Sequence, residues 1–511
     1  MTRVLIPNKI VKRINHIFIR LNVLTHTKKI VKKVSPTAKN GLKTVLFSTF
    51  TLLFFSNAIA KPLNSDPAWS KQVFENGFTL YSTQATQRPN DPVELRLVIS
   101  AGTLLESLDE KGALTTLLSS NIAKQKGTLE YFSADSQPLV TLGYDEVIIS
   151  MKVRENGSNE SVKSAIQMMN QLISFDENTI IEQPISKIEQ SHLMVTKPLN
   201  PRDTFWLNRI HDSVLVGAEP SLESFLLERE KIEKFHSSWI TPDAMKLFVA
   251  GKIDNRILTE EINKSFAKLT GVRGKNAPVA VLQPLRGGAI LATVKEDSVT
   301  LKPALEHPII SLYWDSQWQP IKSSRALEKW WEMELAREAI FTRINKELGV
   351  ENNDKLKLNI DCNVAFQRQL CGIGISYPQN ELLNKFQVFL NQLVVLEEKG
   401  ITDEEFKKLI NLKTEALANL FATYAKTELS TLIDNKIQAE QNGIQDISLE
   451  DYQQLRQAYL GSVSKESINL AISKFLSQEA TILIRENEDS DALDPAVFLQ
   501  KYQSTLFPNS K

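Results

Sequence analysis

The sequence predicts an α+β protein of two similar domains, each a mixed or antiparallel sheet with helices packed on it, joined by a linker. Three observations carry this. The chain has 511 residues, too long for one typical domain and comfortable for two. Strand-like runs of alternating or β-branched apolar residues are interleaved with longer segments of helical period. The order of these runs in residues 61–275 recurs in residues 301–511, each time closing on a strand after paired helices. The composition, 42% hydrophobic and 23% charged, is that of a globular chain able to bury sizeable cores. Lys plus Arg equals Asp plus Glu at 60 each, so no overall field favours nucleic acid, and no nucleic-acid partner is expected.

Residues 1–43 hold Lys, Arg and His but no Asp or Glu, and lead into "TVLFSTFTLLFF" (Thr44–Phe55) and "SNAIA". That apolar run is too short to span a bilayer comfortably. Ala58-Ile59-Ala60 has the small-x-small form of a signal-peptidase site. Residues 1–60 are therefore read as a signal peptide cleaved near Ala60, which places the mature chain in the periplasm. An uncleaved amphipathic anchor or a mitochondrial-type presequence is the other reading of so long a basic region. No Cys adjoins the cut, which argues against a lipid anchor.

In the first domain, residues 61–275, Gly77–Gln84 and Val93–Gly102 are strand-like. A helix follows Gly112, with Leu114, Leu117, Leu118 and Ile122 on one apolar face and Thr115, Ser119 and Ser120 at its polar positions. Glu146–Val153 reads as a strand, and Val162–Ser174 and Glu177–Thr196 as helices. Thr241–Ile253 gives a strand entered through Pro242, and Arg256–Leu269 a helix. Residues 276–300, at the centre of a Pro- and Gly-bearing stretch, form the linker.

In the second domain, residues 301–511, His307–Asp315 is a strand and Ser323–Leu348 a long helix. Helical spacing puts Leu327 and Trp330 in the core and Trp331 on an adjoining, exposed face. "KLKLNIDCNVAFQRQLCGIGIS" reads as two antiparallel strands turning at Phe366-Gln367. Such a turn sets Cys362 opposite Cys371. In an oxidising compartment the pair is a candidate cross-strand disulfide; in a reducing one both are free core residues, and register alone does not decide. Helices begin near Gln379, Thr402 and Ser448, the second through the capping box Thr402-x-x-Glu405. Glu479–Asn487 is the closing strand.

Taken in order, these pieces resemble the insulinase/pitrilysin family of inverted zinc peptidases. "FENGFTLY" (Phe74–Tyr81) is similar to the family's strand entry, and "RLVISAGTLLES" to the strand that precedes its metal-binding helix. "WITPDAMKLFVAGKID" (Trp239–Asp254) resembles its Y-x-P-x-N-M entry to a Gly-ended strand, and "GITDEEFKKLINLKTEAL" (Gly400–Leu417) a helix of its second domain. The resemblance covers nearly all of residues 70–490.

The family signature H-x-x-E-H sets two zinc-binding His on one helical face, with the Glu as general base on the metal's water. Laid on that pattern, Thr115 and Ser119 stand at the His positions and Leu118 at the Glu position. The third ligand position, on a later helix, falls on Glu189 and keeps its carboxylate. Two hydroxyls and one carboxylate do not hold zinc against water, and Leu118 cannot move a proton, so no catalytic or metal residue is expected. His192, three residues after Glu189, allows a relocated E-x-x-H pair, with His211, His236 and His307 as further histidines. No G-x-S-x-G elbow, P-loop or dinucleotide fingerprint is present.

The resemblance also implies a substrate-backbone contact by an Arg and a Tyr of the second domain. Arg343 falls at the Arg, and Val350 or a neighbour stands where Tyr is expected. Arg343 reads equally as an i, i+4 partner of Glu347. The resemblance thus implies a catalytically inactive homologue. It would be the non-catalytic subunit of a heterodimer with a zinc-bearing relative, holding no cofactor itself and shaping a chamber for an extended peptide. The alternatives are an envelope scaffold without proteolysis and, last, an active metallopeptidase with a relocated site.

Overall fold

The structure, a computed structural model, describes residues 61–84, 90–154, 159–175, 192–195, 221–222, 227–275, 287–296, 306–350, 355–487 and 492–508. The signal-peptide reading, Glu189 and His211 lie outside them.

The first half runs β1 (Ser70–Val73), β2 (Thr79–Gln84), β3 (Val93–Ile99), α1 (Ala113–Lys124), α2 (Lys126–Leu129), β4 (Leu139–Leu142), β5 (Val147–Val153), α3 (Glu160–Ile173), β6 (Leu193–Val195), α4 (Arg229–Trp239), β7 (Met245–Gly251) and α5 (Asn255–Ser265). Its strands form one mixed sheet in the order β1-β2-β7-β3-β5-β4-β6. The closing strand β7 inserts between β2, to which it is parallel, and β3, to which it is antiparallel. Inward residues Leu95, Leu97, Ile99, Val147, Ile149, Leu247 and Val249 meet α1, α3, α4 and α5 in one core. The Asn76-Gly77 turn ties both ends of this half together. Gly77 has φ of 89°, and a Cβ there would meet Asp243 Cβ at 2.7 Å, so only glycine fits. The Asn76 amide donates to the carbonyls of Phe266 and Leu269 just beyond α5, at 2.9 and 3.0 Å.

The second half runs β8 (Ile290–Glu296), β9 (Ile309–Gln317), α6 (Ser324–Glu347), β10 (Lys357–Ala365), β11 (Arg368–Ser376), α7 (Gln379–Lys399), α8 (Asp403–Ala418), α9 (Leu420–Ala425), α10 (Leu429–Gln441), α11 (Leu449–Ser462), α12 (Lys465–Leu476), β12 (Thr481–Asn487) and α13 (Pro495–Leu506). Its sheet has the order β10-β11-β9-β12-β8. β9, β11 and β12 supply Ile310, Leu312, Ile373, Ile375, Ile482 and Ile484 to a core completed mainly by α6, α7 and α12. The expected capping box is present at the start of α8, with Thr402 and Glu405 exchanging hydrogen bonds.

Three sequence expectations are corrected. The segment read as linker carries β8, which pairs in parallel with β12; its alternation in "ILATVKE" was masked by the Pro and Gly around it. The helix expected over Glu177–Thr196 gives way at its end to β6, parallel to β4, and residues 176–191 lie outside the described residues. Trp331 is fully buried while Trp330 is half-buried. The cause is α11, whose Tyr452 and Tyr459 pack on the Trp331 ring and enclose a face that spacing on α6 alone assigns to solvent.

The hairpin turns where the sequence places it. Phe366 and Gln367 both have positive φ, 48° and 62°, the geometry that matches strand twist in a two-residue turn. Cys362 stands directly opposite Cys371, with Cα atoms 4.1 Å apart and the sulfurs bonded.

The halves interlock. Helix α10 lies on the face of the first sheet opposite its core, burying Leu429, Ile433 and Ile437 against Tyr81, Val98 and Phe248; each such side chain contributes about 1.5–3 kcal/mol. In return, residues 61–66 lie along the second half. Pro62 bridges to Ser323, the Leu63 and Asp66 amides donate to Lys322 and Asp446, and the Lys61 carbonyl accepts from Ser324. The tip of the hairpin completes the seam, with the Phe366 ring edge-on to Tyr144 at 6.3 Å.

Candidate functional site

Helix α1 carries the positions where the sequence predicts lost zinc chemistry. Its start has no side-chain cap at Gly112, whose φ is 88°. Glu106 serves instead, its carboxylate accepting from the amides of Gly112 and Leu114 at 2.8 and 2.9 Å. These two orphan donors of the first turn are thereby satisfied. Burial raises the Glu106 carboxyl, while the same two amides and Lys111 pull it down. At the far end, the Asn121 amide donates to the carbonyls of Leu172 and Ser174 at 2.9 and 2.7 Å, fixing α1 against the end of α3.

Between these anchors the helix is enclosed on all sides, from Ala113 to Ile122, rather than showing one apolar face. Thr115 is 2% exposed, and its hydroxyl donates to the carbonyl of Ser221 at 2.9 Å. Leu118 is 2% exposed and belongs to the first core. The Ser119 hydroxyl turns back onto the Thr116 carbonyl at 3.1 Å. The three positions that would carry two imidazoles and a base thus hold hydroxyls engaged with the chain's own carbonyls and one packed alkyl group. None of the three offers a lone pair on nitrogen or a carboxylate to a divalent ion.

The histidines among the described residues do not converge. His192 is buried with Nδ1 3.1 Å from the Pro138 carbonyl. On α4, His236 has Nε2 2.9 Å from the Ile173 carbonyl, and burial lowers its pKa. His307 lies ahead of β9, 4.0 Å from Glu306. Among the described residues, no three His, Cys, Asp or Glu side chains are grouped to hold a metal.

Arg343, on α6, is engaged across the helix pair rather than along its own helix. Its Nε and Nη2 both bond the carboxylate of Glu405, so the i+4 partner Glu347 is not the one used. Glu405 is also the third residue of the α8 capping box and accepts from the Thr402 amide. Burial opposes its charge, but Arg343 and Thr402 together hold its pKa down at about 2. Val350 packs at the edge of the second core. Sequence reasoning missed Glu106, whose carboxylate caps α1 from outside the usual cap position, and Ser221, which acts through a backbone carbonyl brought near by tertiary folding.

Comparison with known proteins places this arrangement. A family model described as "Peptidase M16 inactive domain" matches residues 227–413. The curated "Protein YhjJ" of Salmonella typhi is 34% identical over 464 residues, covering 88% of this chain and 91% of that protein. The chain belongs to the insulinase (M16) peptidase family. This insulinase-family chain is also similar to the protein titled "Protein YhjJ" in Escherichia coli strain K12, 32% identical, with 83% of this chain and 86% of that one covered. Among solved structures, a "Predicted insulinase family protease from Yersinia pestis" aligns at TM-score 0.77 and 28% identity over 88% of this chain and 98% of that one. The first half of the periplasmic protease PqqL from Escherichia coli aligns at TM-score 0.71 and 15% identity, over 88% and 99%; this likeness is one of fold. Against the whole of PqqL, the same 88% of this chain covers only 51% of the other.

Proposed function

We propose that this insulinase-family chain is catalytically inactive and acts in the periplasm as the non-catalytic partner of a zinc-bearing relative, walling a chamber for an extended peptide. The observation that carries the reading is the state of α1. Thr115, Leu118 and Ser119 stand at the ligand and base positions, and all three side chains are closed into the protein's interior. A water-activating site needs both a metal and a base; these positions supply neither. The match to one half of a longer protease supports a second half supplied by another chain, and the likeness to a periplasmic protease supports the compartment. Zinc then belongs to the partner, and this chain's part is wall area and a strand edge for the peptide backbone.

The test is to purify the mature chain without chelator, alone and after co-expression with an H-x-x-E-H relative from the same cell. Alone, it contains no stoichiometric zinc and leaves a mixed peptide library intact. With the relative, it co-elutes as a heterodimer whose hydrolysis exceeds that of the relative by itself. One tight zinc per chain with chelator-sensitive turnover would sink the reading. Failure to bind any such relative would favour an envelope scaffold instead.

A further inference from the structure

Where the halves meet, one buried cation holds an excess of carboxylates. Lys436 of α10 has only 8% of its side chain exposed, with Nζ 3.3 Å from Glu440 and 3.2 Å from Asp446. It lies over the rings of Tyr81 and Trp69 at 5.3 and 5.9 Å. The Tyr81 hydroxyl, on β2, donates to Glu440 at 2.8 Å. Asp66, in the strap of residues 61–66, donates its amide to the Asp446 carbonyl at 2.9 Å and adds a third carboxylate. Lys71 of β1 lies over the Tyr81 ring, and Lys246 of β7 acts on Glu440. At the same end of α10, Gln441 donates to Glu146, which stands beside Asp145 with Lys246 as its cation. The contacts of Lys436 with Tyr81 and Trp69, of Tyr81 with Glu440, of Asp66 with Asp446 and of Gln441 with Glu146 join the first half to the second.

We propose that this seam takes up protons between neutral and mildly acidic pH, so that α10 and the strap hold the two halves together more tightly in acid. The charge arrangement gives the reason. Asp446 is largely withdrawn from water where the halves meet and Glu146 partly so, and each has a like charge acting on it, Asp66 or Asp145. Burial first, and then those neighbours, raise Asp446 to about 6 and Glu146 to about 7. In the separated halves both return to ordinary carboxyl values. A carboxyl raised in the closed state favours closure below its open-state value, and the advantage is lost as pH rises through the closed-state value. For Asp446 the window runs from about 4 to 6, and for Glu146 from about 4.5 to 7.

Amide hydrogen exchange of Leu429–Gln441, corrected for intrinsic rate, reads the opening of α10 at pH 5 and pH 7.5. In the wild type, opening is rarer at pH 5. In Glu146→Gln the share of Asp446 remains, about tenfold between the two conditions. In Asp446→Asn with Glu146→Gln most of the dependence is lost, and what stays is the share of Asp434 on α10, which burial also raises beside Arg96 of β3. A double variant that keeps the wild-type slope, or a wild type that opens more readily in acid, overturns the proposal. Exchange in β10 and β11, away from α10, serves as a control within the wild type, so the test survives a variant that fails to fold. A slope equal in both regions would also overturn it.

Discussion

Thr115 and Ser221 are joined by a hydrogen bond of 2.9 Å from hydroxyl to carbonyl, at the first of the three positions where zinc chemistry would sit. Leu118, one turn on, is sealed in the first core. A carboxylate placed there alone has no partner. Leu118→Glu therefore lowers stability by about 3 kcal/mol or more, read as a drop in the thermal midpoint. Adding Thr115→His and Ser119→His gives the carboxylate and metal ligands back to one helical face, and zinc then raises the midpoint of the triple variant. A triple variant indifferent to zinc would show that α1 has left the geometry of active relatives.

The Cys362–Cys371 bond closes a loop with a sequence separation of 9. Chain-entropy arguments assign such a loop about 2.5 kcal/mol. Replacing both with Ala lowers the free energy of unfolding, read by denaturant titration, by that amount, and a reductant has no further effect on the double variant. Sensitivity to reductant that persists there would contradict the assignment.

Arg343→Ala removes both bonds to Glu405 and leaves that carboxylate to its helix cap alone. The expected loss is about 1–2 kcal/mol, with Arg343→Lys intermediate because an ammonium cannot match the forked geometry. The pH dependence has a definite sign. Glu405 is depressed to about 2 when folded, so its contribution is whole above the ordinary carboxyl value and is lost as pH falls toward 2. In the Ala variant that acid slope shrinks. Unchanged stability would leave Arg343 available to a substrate.

His236 gives the opposite dependence to the seam carboxyls. Its pKa is lowered by burial, so the folded state prefers the neutral ring, and stability falls as pH drops below about 6.5. His236→Gln keeps a donor toward Ile173 and flattens global denaturation between pH 7 and pH 5. A slope unchanged by the substitution would assign the acid sensitivity elsewhere.

Much of the architecture was legible because it is locally encoded. The capping box at Thr402, the alternation of β9 and the mirror arrangement of Cys362 and Cys371 about Phe366-Gln367 are all short-range patterns. What escaped is what distant elements impose. Trp331 is interior only because α11 folds over α6. Ile290–Glu296 is a strand only because β12 offers it an edge. At the candidate site, the sequence shows which residues replace the ligands. It does not show that Glu106 caps the helix from outside, or that the backbone at Ser221 lies against Thr115. Lys436 carries no sequence signal either, since an isolated Lys on an amphipathic helix is ordinarily solvated.

The bridge from Pro62 to Ser323 makes the chain's order of assembly unusual for a two-domain protein. A chain that emerges N-terminus first presents the first half whole while the residues that should receive residues 61–66 are still to come. Until Ser323 and Asp446 emerge, residues 61–66 have no place to lie, and the outer face of the first sheet, with Tyr81 and Phe248, waits for α10. Closing contacts so far apart in sequence is slow, and an apolar sheet face left bare meanwhile is a site for mispairing. The finished molecule is thus closed by residues 61–66 and α10 together, and its first half is completed last.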